Sequence, residues 1–110
     1  MPNYQTVSEL MHAYQERFIP EKAAGMDSVI QLHLKGEGGG PYYLAIHDQE
    51  LDVHEGEHPD PTATASASVK DWLRLHNGDA NPMTMMMKGK LKVKGDLAMA
   101  TKFPSLFSTD

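Results

Sequence analysis

Short segments in which apolar and polar residues alternate constrain this sequence more than any other feature. Alternation with a period of two is typical of a β-strand that has one buried face and one solvated face. Five segments show it, and they are centred on 30–34, 42–46, 51–53, 63–67 and 91–93. Because each predicted strand has a single apolar face, all of the helices must cover the same side of the sheet. The sequence therefore predicts a two-layer α+β domain.

Three of these segments, 30–34, 42–46 and 51–53, follow one another at short spacing. Short strands separated by brief polar or glycine-containing loops are typical of an antiparallel meander. We therefore expect a five-stranded, mostly antiparallel sheet with four to five helices covering one face. At 110 residues the chain has the size of one domain, so a single domain is expected over residues 1–110.

Helix start and stop signals flank the predicted strands. The start signals are Thr6 with Glu9, Ser68, Asn81-Pro82 and the turn Gly95-Asp96. Pro20 is expected to end the first helix before a short turn over 21–24, and Pro104 is expected to break or kink the last helix. These signals supply the helices that a one-sided sheet requires.

The charge balance disfavours one class of partner. Ten basic residues against fifteen acidic residues give a formal net charge of −5, which opposes binding to the backbone of a nucleic acid. The only dense basic stretch contains Lys88, Lys90, Lys92 and Lys94, which alternate as the solvated face of one strand would. The alternative is contact with anionic lipid. Membrane contact is therefore expected to be transient at most.

Cysteine usage and apolar runs bear on the cellular compartment. The chain has no cysteine, which excludes disulfides and thiolate metal sites and fits a reducing cytoplasm. No basic segment followed by an apolar run opens the sequence, and no apolar run approaches the roughly 20 residues of a membrane span. A cytoplasmic protein is expected.

Histidines form the one pattern that suggests a metal. The segment 54–58 reads H-E-x-x-H, which in zinc proteases places two histidines on one helical face. Gly56 inside the segment and a proline directly after it disfavour a helix, so an exposed acidic loop is expected. His33, His47 and His54 share the polar face of the predicted strands, where solvated histidines are commoner than metal ligands. No metal and no cofactor are expected.

Nucleophilic catalysis has no recognisable machinery in this sequence. Cysteine is absent, and no serine lies in the G-x-S-x-G pattern of a nucleophile elbow. The glycine-rich run 36–40 precedes a proline and a strand rather than a helix, which indicates a hairpin loop and not a dinucleotide-binding turn. The sequence therefore predicts a protein that is not an enzyme.

Methionine and alanine are concentrated where the two layers should meet. Met83 and Met85 to Met87 crowd one short helix, and the strand 63–67 has only alanine on its inward face. Small residues under a helix either let it pack closely or leave room for a ligand with an adjustable methionine lining. About a dozen buried methylenes at roughly 0.8 kcal/mol each offer about 10 kcal/mol, against an association cost of roughly 4–15 kcal/mol. The pattern alone favours a filled core over a cavity. If a cavity is present, micromolar binding of a ligand is compatible with this balance.

The second half of the chain carries a resemblance to a known family. The residues concerned are Ala65 to Leu73, Gly78, Asn81-Pro82-Met83, Met86, the segment 88–97 and Ala100. They resemble the sterol carrier protein type 2 family of lipid-binding domains, and the looser similarity of the first half extends the resemblance to about residues 6–107. The family often has Asp-Gly in the turn where this chain has Asp48-Gln49.

This resemblance implies a hydrophobic tunnel between sheet and helices that binds fatty acyl chains, acyl-CoA, phospholipid or sterol-like lipids without catalysis. The implied lining is the set of matched apolar positions Ile30, Leu32, Leu44, Ile46, Trp72, Leu73, Met83, Met86, Met87, Leu97, Phe103 and Phe107. The resemblance therefore favours a cavity over the filled core that the residue pattern alone favours. The alternative is a protein–protein interaction or dimerisation module that uses the same apolar groove as an accessory to a lipid-metabolising enzyme, so a homodimer stays open.

Overall fold

The computed structural model describes residues 3–108, which are built on one five-stranded sheet. The strands are β1 (Ser28–Lys35), β2 (Gly40–His47), β3 (Glu50–Glu55), β4 (Ala63–Ser68) and β5 (Lys92–Gly95). They lie in the order β3-β2-β1-β4-β5. The β1–β4 pair is parallel and the other three neighbouring pairs are antiparallel. The predicted five-stranded, mostly antiparallel sheet is confirmed.

The register of the strands places their apolar residues on one face. Ile30 lies opposite Leu44 on one side and Ala63 on the other, while Leu32 lies opposite Ala65. All five side chains are buried. Because successive side chains of a strand point to opposite faces, the polar neighbours of these residues share the outer face. The one-sided sheet expected from the alternation is therefore present.

Helices cover this apolar face. They are α1 (Val7–Arg17), α2 (Val69–His76), α3 (Pro82–Met87) and α4 (Leu97–Lys102), with 3-10 turns at Pro20–Ala23 and Phe103–Leu106. Their buried side chains and those of the apolar sheet face form one continuous core cluster. The α+β, two-layer prediction is confirmed.

Each α-helix begins at a capping side chain. The caps, with the backbone N–H that donates to each, are Thr6 (Glu9, 3.1 Å), Ser68 (Asp71, 3.0 Å), Asn81 (Thr84, 3.2 Å) and Asp96 (Met99, 3.1 Å). Such a cap satisfies a backbone donor that the first turn of a helix leaves free. The start signals in the sequence therefore predicted the starts at Thr6, Ser68 and Asn81, and the predicted turn Gly95-Asp96 leads into the fourth helix.

The end of the described chain returns to the first helix. The last helix changes from α to 3-10 geometry at Phe103, beside Pro104, as expected for a proline at this point. The Ile19 N–H donates to the Leu106 carbonyl at 2.8 Å, and the Ser108 N–H donates to the Arg17 carbonyl at 2.8 Å. These bonds close the helical layer on the side of α1.

The β2–β3 hairpin turns through two residues with left-handed backbone. Asp48 has φ 50° and Gln49 has φ 60°, the geometry in which Asp-Gly is the preferred pair. The Gln49 amide donates to the Pro20 carbonyl at 3.1 Å. The turn therefore keeps the shape that Asp-Gly would adopt, with glutamine in the strained second position.

The outer face of the sheet is less exposed than its polar residues suggest. The loop after β3 folds back across it, and Gln31 is buried beneath that loop with 2% of its surface exposed. The Gln31 amide donates to the carbonyls of Tyr42 and Gly56, both at 3.0 Å, and its oxygen accepts from the His58 N–H at 2.8 Å. The outer face is therefore not solvated at Gln31, whereas the alternation predicts a solvated face there. The Gln31 side chain bonds instead to the backbone of β2 and to the backbone of the crossing loop.

Candidate functional site

A cavity of about 320 Å³ separates the helical layer from the sheet. We call it the interlayer cavity. Its wall is mostly apolar and includes Leu10, Ile30, Ala63, Ala65, Leu91 and Phe103. These residues come from α1, β1, β4, the position just before β5 and the 3-10 turn after α4. The space is therefore bordered by elements from both halves of the chain.

The alanines of β4 explain why space remains. Ala63, Ala65 and Ala67 are all buried on the face that the helices cover, and the first two line the interlayer cavity. An alanine side chain is one methyl group, so it does not span the gap between the sheet and the helices above it. Of the two possibilities that the alanine strand allowed, close packing or room, the structure shows room over Ala63 and Ala65.

The sequence-predicted site residues divide into three groups. Those that line the interlayer cavity are Ile30, Trp72, Phe103 and Phe107. Those buried in the core away from it are Leu32, Leu44, Ile46 and Leu73. Those on the outer surface, with their exposed fractions, are Met83 (69%), Met86 (45%), Met87 (84%) and Leu97 (57%). Contact of any of them with a ligand stays a prediction.

The geometry of α3 places its methionines on different faces. Met85 is buried, whereas Met83 and Met87 are exposed. At 100° per residue, a position two residues away lies about 200° around the helix axis. When Met85 faces the core, Met83 and Met87 must therefore face outward. A run of neighbouring methionines on a single helix does not fit on one face.

Sequence reasoning missed several residues of the cavity wall. Leu10, Tyr14 and Arg17 of α1 and Leu75 and His76 of α2 all line it. The apolar spacing of the first helix was a signal for Leu10 and Tyr14, which the sequence assigns to a helix face without showing what that face borders. No local signal identifies His76, because its place in the wall depends on how α2 packs.

Three of the wall residues form a closed chain of hydrogen bonds. The Trp72 indole N–H donates to the Tyr14 hydroxyl oxygen at 3.1 Å, and that oxygen lies 2.7 Å from His76 Nε2. His76 Nδ1 lies 2.9 Å from the Trp72 carbonyl. A carbonyl oxygen only accepts, so we assign the His76 proton to Nδ1, and the Tyr14 hydroxyl then donates to Nε2. The polar atoms of this side of the wall satisfy one another.

Burial keeps two of these side chains uncharged. It raises the pKa of the Tyr14 hydroxyl far above its ordinary value, and this effect outweighs the opposing hydrogen bond from Trp72. Burial also lowers the pKa of His76, although the hydrogen bond to the Trp72 backbone opposes it. Tyr14 and His76 therefore present a neutral, self-satisfied surface to the cavity.

The other histidines lie away from the cavity wall. His47 Nε2 lies 3.2 Å from Asp52, and His33 Nε2 lies 3.6 Å from Glu57. The hydrogen bond with Asp52, followed by that with Asp48, raises the pKa of His47. Within residues 3–108 no three histidine, aspartate or glutamate side chains are grouped to hold a metal ion.

The H-E-x-x-H segment is not a helix. Its first two residues end β3, Gly56 follows with φ 112°, and His58 lies in the crossing loop. The side chains of Glu55 and Glu57 are exposed. The predicted loop is present at residues 56–58, and the first two residues of the segment extend β3 instead.

A second hollow of about 340 Å³ lies between α1 and β3. Polar residues such as His12, Gln15 and His54 border much of it, and all three are exposed. Sites for small organic molecules are mostly apolar with a few placed polar groups. The interlayer cavity fits that description better.

In the described part of the chain, no helix is long and apolar enough to cross a membrane.

Curated proteins with similar sequences are longer than this chain. Hydroxysteroid dehydrogenase-like protein 2 of Rattus norvegicus is 29% identical over 108 residues, which are 97% of this chain and 21% of that protein. The human protein of that name is 26% identical, and the matched part is 26% of its length. The chain thus spans about a fifth to a quarter of these curated relatives.

Solved structures show the same architecture. Sterol Carrier Protein 2 from Yarrowia lipolytica, in its apo form, is 26% identical with a TM-score of 0.62, covering 91% of this chain and 79% of that one. Sterol Carrier Protein 2 Like 2 from Aedes aegypti has a TM-score of 0.71 at 20% identity, covering 91% and 92%. The sec-alkylsulfatase Pisa1 from Pseudomonas sp. has a TM-score of 0.84 at 17% identity, covering 96% of this chain and 17% of the enzyme.

The sequence profile of one family matches almost the whole chain. That family is the SCP-2 sterol transfer family, and the match covers residues 9–108. The matched range includes all five strands and nearly all of α1. It confirms the resemblance found in the sequence. This chain belongs to the SCP-2 sterol transfer family.

Proposed function

We propose that this protein binds a lipid in the interlayer cavity and catalyses no reaction. The candidate ligands are fatty acyl chains, acyl-CoA, phospholipid and sterol-like lipids, and a ligand with an acyl chain fits the cavity best. The observation that carries the proposal is an apolar space of about 320 Å³ between the sheet and the helices. Pockets that hold small molecules start at roughly 300 Å³. The cavity therefore has room for part of a lipid chain without any rearrangement.

The wall chemistry supports an apolar ligand. Tyr14, Trp72 and His76 use their donors within the wall, so a ligand that needs several buried hydrogen bonds would have to break theirs. An unmade buried hydrogen bond costs about 1–3 kcal/mol. Each buried methylene, by contrast, gains roughly 0.8 kcal/mol. A hydrocarbon chain therefore gains from the cavity, and a polar metabolite does not.

The position of Arg17 favours a charged head group on the side of the cavity where Ser108 lies. Arg17 lines the cavity and its guanidinium donates to the Ser108 carbonyl at 3.4 Å. A guanidinium also attracts a carboxylate or a phosphate. We infer an orientation in which the hydrocarbon lies over Ala63 and Ala65 and an anionic head lies toward Arg17.

A structural relative supports the ligand class. The structure of SCP2L2 from Aedes aegypti, with a TM-score of 0.66 at 19% identity, is that of a palmitated protein. That description concerns the insect protein. For this chain it supports the proposal that an acyl chain is the natural occupant.

Displacement of a fluorescent fatty acid from the purified protein tests the proposal. We expect micromolar binding by the unaltered protein and at least a tenfold loss in Ala65→Leu, whose larger side chain fills the space above β4. The matched control is Ala98→Leu, which makes the same change on the exposed surface of α4. Absence of displaceable or co-purifying lipid at tens of micromolar would contradict the proposal.

A second candidate function is an accessory module that docks an enzyme or a second copy through the same groove. It is favoured by the alkylsulfatase structure, in which the matched part makes up 17% of the enzyme chain. Gel filtration with light scattering separates the two candidates. A stable dimer that binds no fatty acid would favour the module, and a monomer that binds fatty acid would favour the lipid carrier.

We propose that the protein acts in the cytoplasm. The lack of cysteine supports a reducing compartment. Fractionation of cells that express the tagged protein tests this, and recovery from the periplasm or the medium would contradict it.

A further inference from the structure

Four large apolar side chains are exposed in the described part of the chain, and they lie on the two helices that flank β5 in sequence. They are Met83, Met86 and Met87 on α3 and Leu97 at the start of α4. We call the three exposed methionines of α3 the methionine surface. A protein of this size buries most of its large apolar residues, so a local concentration of exposed ones marks a surface that contacts something else.

Lysines accompany the methionine surface. Lys88 and Lys90 follow α3 directly, and Lys92 and Lys94 lie on β5, which is an edge strand of the sheet. All four are exposed. Asp96 is the one acidic residue between positions 83 and 97, and its carboxylate accepts the Met99 N–H as a helix cap. This part of an acidic protein is therefore strongly basic.

The opposite edge of the sheet is acidic. Strand β3 and the turn before it carry Asp48, Glu50, Asp52 and Glu55. Four strand spacings separate β3 from β5, which is about 19 Å at roughly 4.8 Å for each spacing. The two charge groups lie farther apart than the Debye length of about 8 Å at physiological ionic strength. The electrostatic interaction of either edge with an external charged surface is therefore nearly independent of the charges at the other edge.

We propose that α3 and β5 form a docking surface for an anionic lipid bilayer. In this orientation the exposed methionines enter the interfacial layer, Lys88 and Lys90 face the lipid phosphates and carboxylates, and the acidic β3 edge points away. Methionine suits such a surface because its flexible thioether adapts to an irregular apolar environment. A lysine near an anionic membrane surface strengthens binding roughly fivefold.

The charge pattern argues against a second copy as the occupant of this surface. A twofold dimer brings the same patch of both subunits together. The lysines that accompany the methionines would then face the equivalent lysines of the other copy, and like charges placed opposite each other oppose association. An anionic bilayer complements the apolar and the basic residues together.

The docking surface borders the interlayer cavity. Pro82 of α3 and Leu91 and Val93 beside and within β5 line the cavity, while their sequence neighbours Met83, Lys90 and Lys92 are exposed. Under the proposed lipid-binding function, docking would place the bilayer next to the cavity wall, where a lipid is exchanged. Lipid exchange at this place rests on the proposed lipid-binding function, whereas docking to the bilayer does not.

Co-sedimentation of the purified full chain with vesicles tests the docking surface. The vesicles contain phosphatidylcholine with or without phosphatidylserine. We expect binding to the anionic vesicles at low salt, at least tenfold weaker binding to the neutral ones, and loss of binding at high salt. Equal binding to both, or none to the anionic vesicles at low salt, would overturn the proposal.

Two double variants locate the surface. Lys88→Glu/Lys90→Glu and Met83→Gln/Met87→Gln are each expected to weaken binding at least tenfold. Glutamine has nearly the helix propensity of methionine, so circular dichroism of the second variant should match the unaltered protein. The matched control is Lys22→Glu/Lys35→Glu, which changes the net charge equally at exposed positions elsewhere. A loss in this control equal to that of Lys88→Glu/Lys90→Glu would overturn the assigned surface.

Fatty acid displacement with the same variants separates docking from ligand binding. Neither Lys88 nor Lys90 lines the interlayer cavity, so the fatty acid affinity of Lys88→Glu/Lys90→Glu should equal that of the unaltered protein. Vesicle binding without fatty acid binding would contradict the proposed function and leave docking supported. Fatty acid binding without vesicle binding would do the reverse. A stable dimer that Met83→Gln/Met87→Gln dissociates would overturn docking to a bilayer.

Discussion

The Tyr14 hydroxyl oxygen lies 2.7 Å from Nε2 of His76, although 62 residues separate the two positions along the chain. The bond joins α1 to α2 at the wall of the interlayer cavity. The Trp72 indole N–H completes the arrangement by donating to the same oxygen. The site thus depends on a tertiary contact between two helices.

Removal of the Tyr14 hydroxyl is expected to destabilise the fold. Tyr14→Phe leaves the Trp72 N–H and His76 Nε2 without their shared partner in an apolar wall, which should lower the free energy of unfolding by about 1–3 kcal/mol. Urea denaturation measures it. Tyr43→Phe, on the half-buried outer face, is the matched control and should change stability less. Equal losses in the two variants would contradict a structural role for the network.

Acidification is expected to destabilise the protein through His76. Burial lowers the pKa of its imidazole below the ordinary value of 6.5, so below pH 6.5 the unfolded chain binds more protons than the folded chain. The free energy of unfolding should therefore fall as the pH drops from 6.5 to the folded-state pKa. His76→Gln is expected to flatten this slope in urea titrations at neutral and mildly acidic pH.

His47 provides the control for this pH effect, since its pKa shifts the other way. Asp52, followed by Asp48, raises that pKa, so the small contribution of His47 is present at acidic pH and is lost as the pH rises through the raised value. His47→Gln should keep the acid-dependent loss of stability. If His47→Gln flattened the slope and His76→Gln did not, the assignment to His76 would be wrong.

Two alanines of one strand should respond differently to the same enlargement. Ala65 borders the interlayer cavity, whereas Ala67 is buried without bordering it. Ala67→Leu forces extra methylenes into packed surroundings and should cost about 1–3 kcal/mol. Ala65→Leu places them in open space and should be neutral or stabilising. Thermal or urea denaturation measures the stability of both variants. Comparable losses of stability in the two would contradict open space above Ala65.

Replacement of Gly95 at the end of β5 is expected to destabilise the fold. A Cβ atom there would lie 2.6 Å from the Thr62 carbonyl oxygen, and the residue has φ +90°. Gly95→Ala should therefore cost about 1–3 kcal/mol of folding stability. Gly89→Ala is the control, because Gly89 has φ +73° but open space around its Cβ position. An equal loss in both variants would contradict the steric part of this argument.

The buried amide of Gln31 allows a test of the crossing loop. Gln31→Glu keeps an acceptor for the His58 N–H and removes the donors to the Tyr42 and Gly56 carbonyls. With a buried carboxylate facing two carbonyl oxygens, we expect a loss of about 3 kcal/mol and faster amide hydrogen exchange in the loop. Gln15→Glu, on the exposed surface of α1, should stay within about 0.5 kcal/mol. Protection of the loop in Gln31→Glu would contradict its role.

The sequence by itself determined the local structure and the side of the sheet that is buried. Period-two alternation and capping residues depend on neighbours within a few positions, so the strands and the helix starts at Thr6, Ser68, Asn81 and Asp96 could be predicted. The residues quoted for the family resemblance also predicted the family. Alanine on β4 indicated that either close packing or space would follow, without deciding between them.

Tertiary structure alone decided where the space lies and what surrounds it. The parallel pairing of β1 with β4 and the packing of α1 on α2 join residues that are distant in sequence, and no local pattern encodes such contacts. They bring Tyr14 and His76 into the cavity wall, and the rotation of α3 turns Met83 and Met87 outward while Met85 stays buried. Periodicity shows that a helix has a buried face. Which residues of that face line a cavity depends on the elements packed against it.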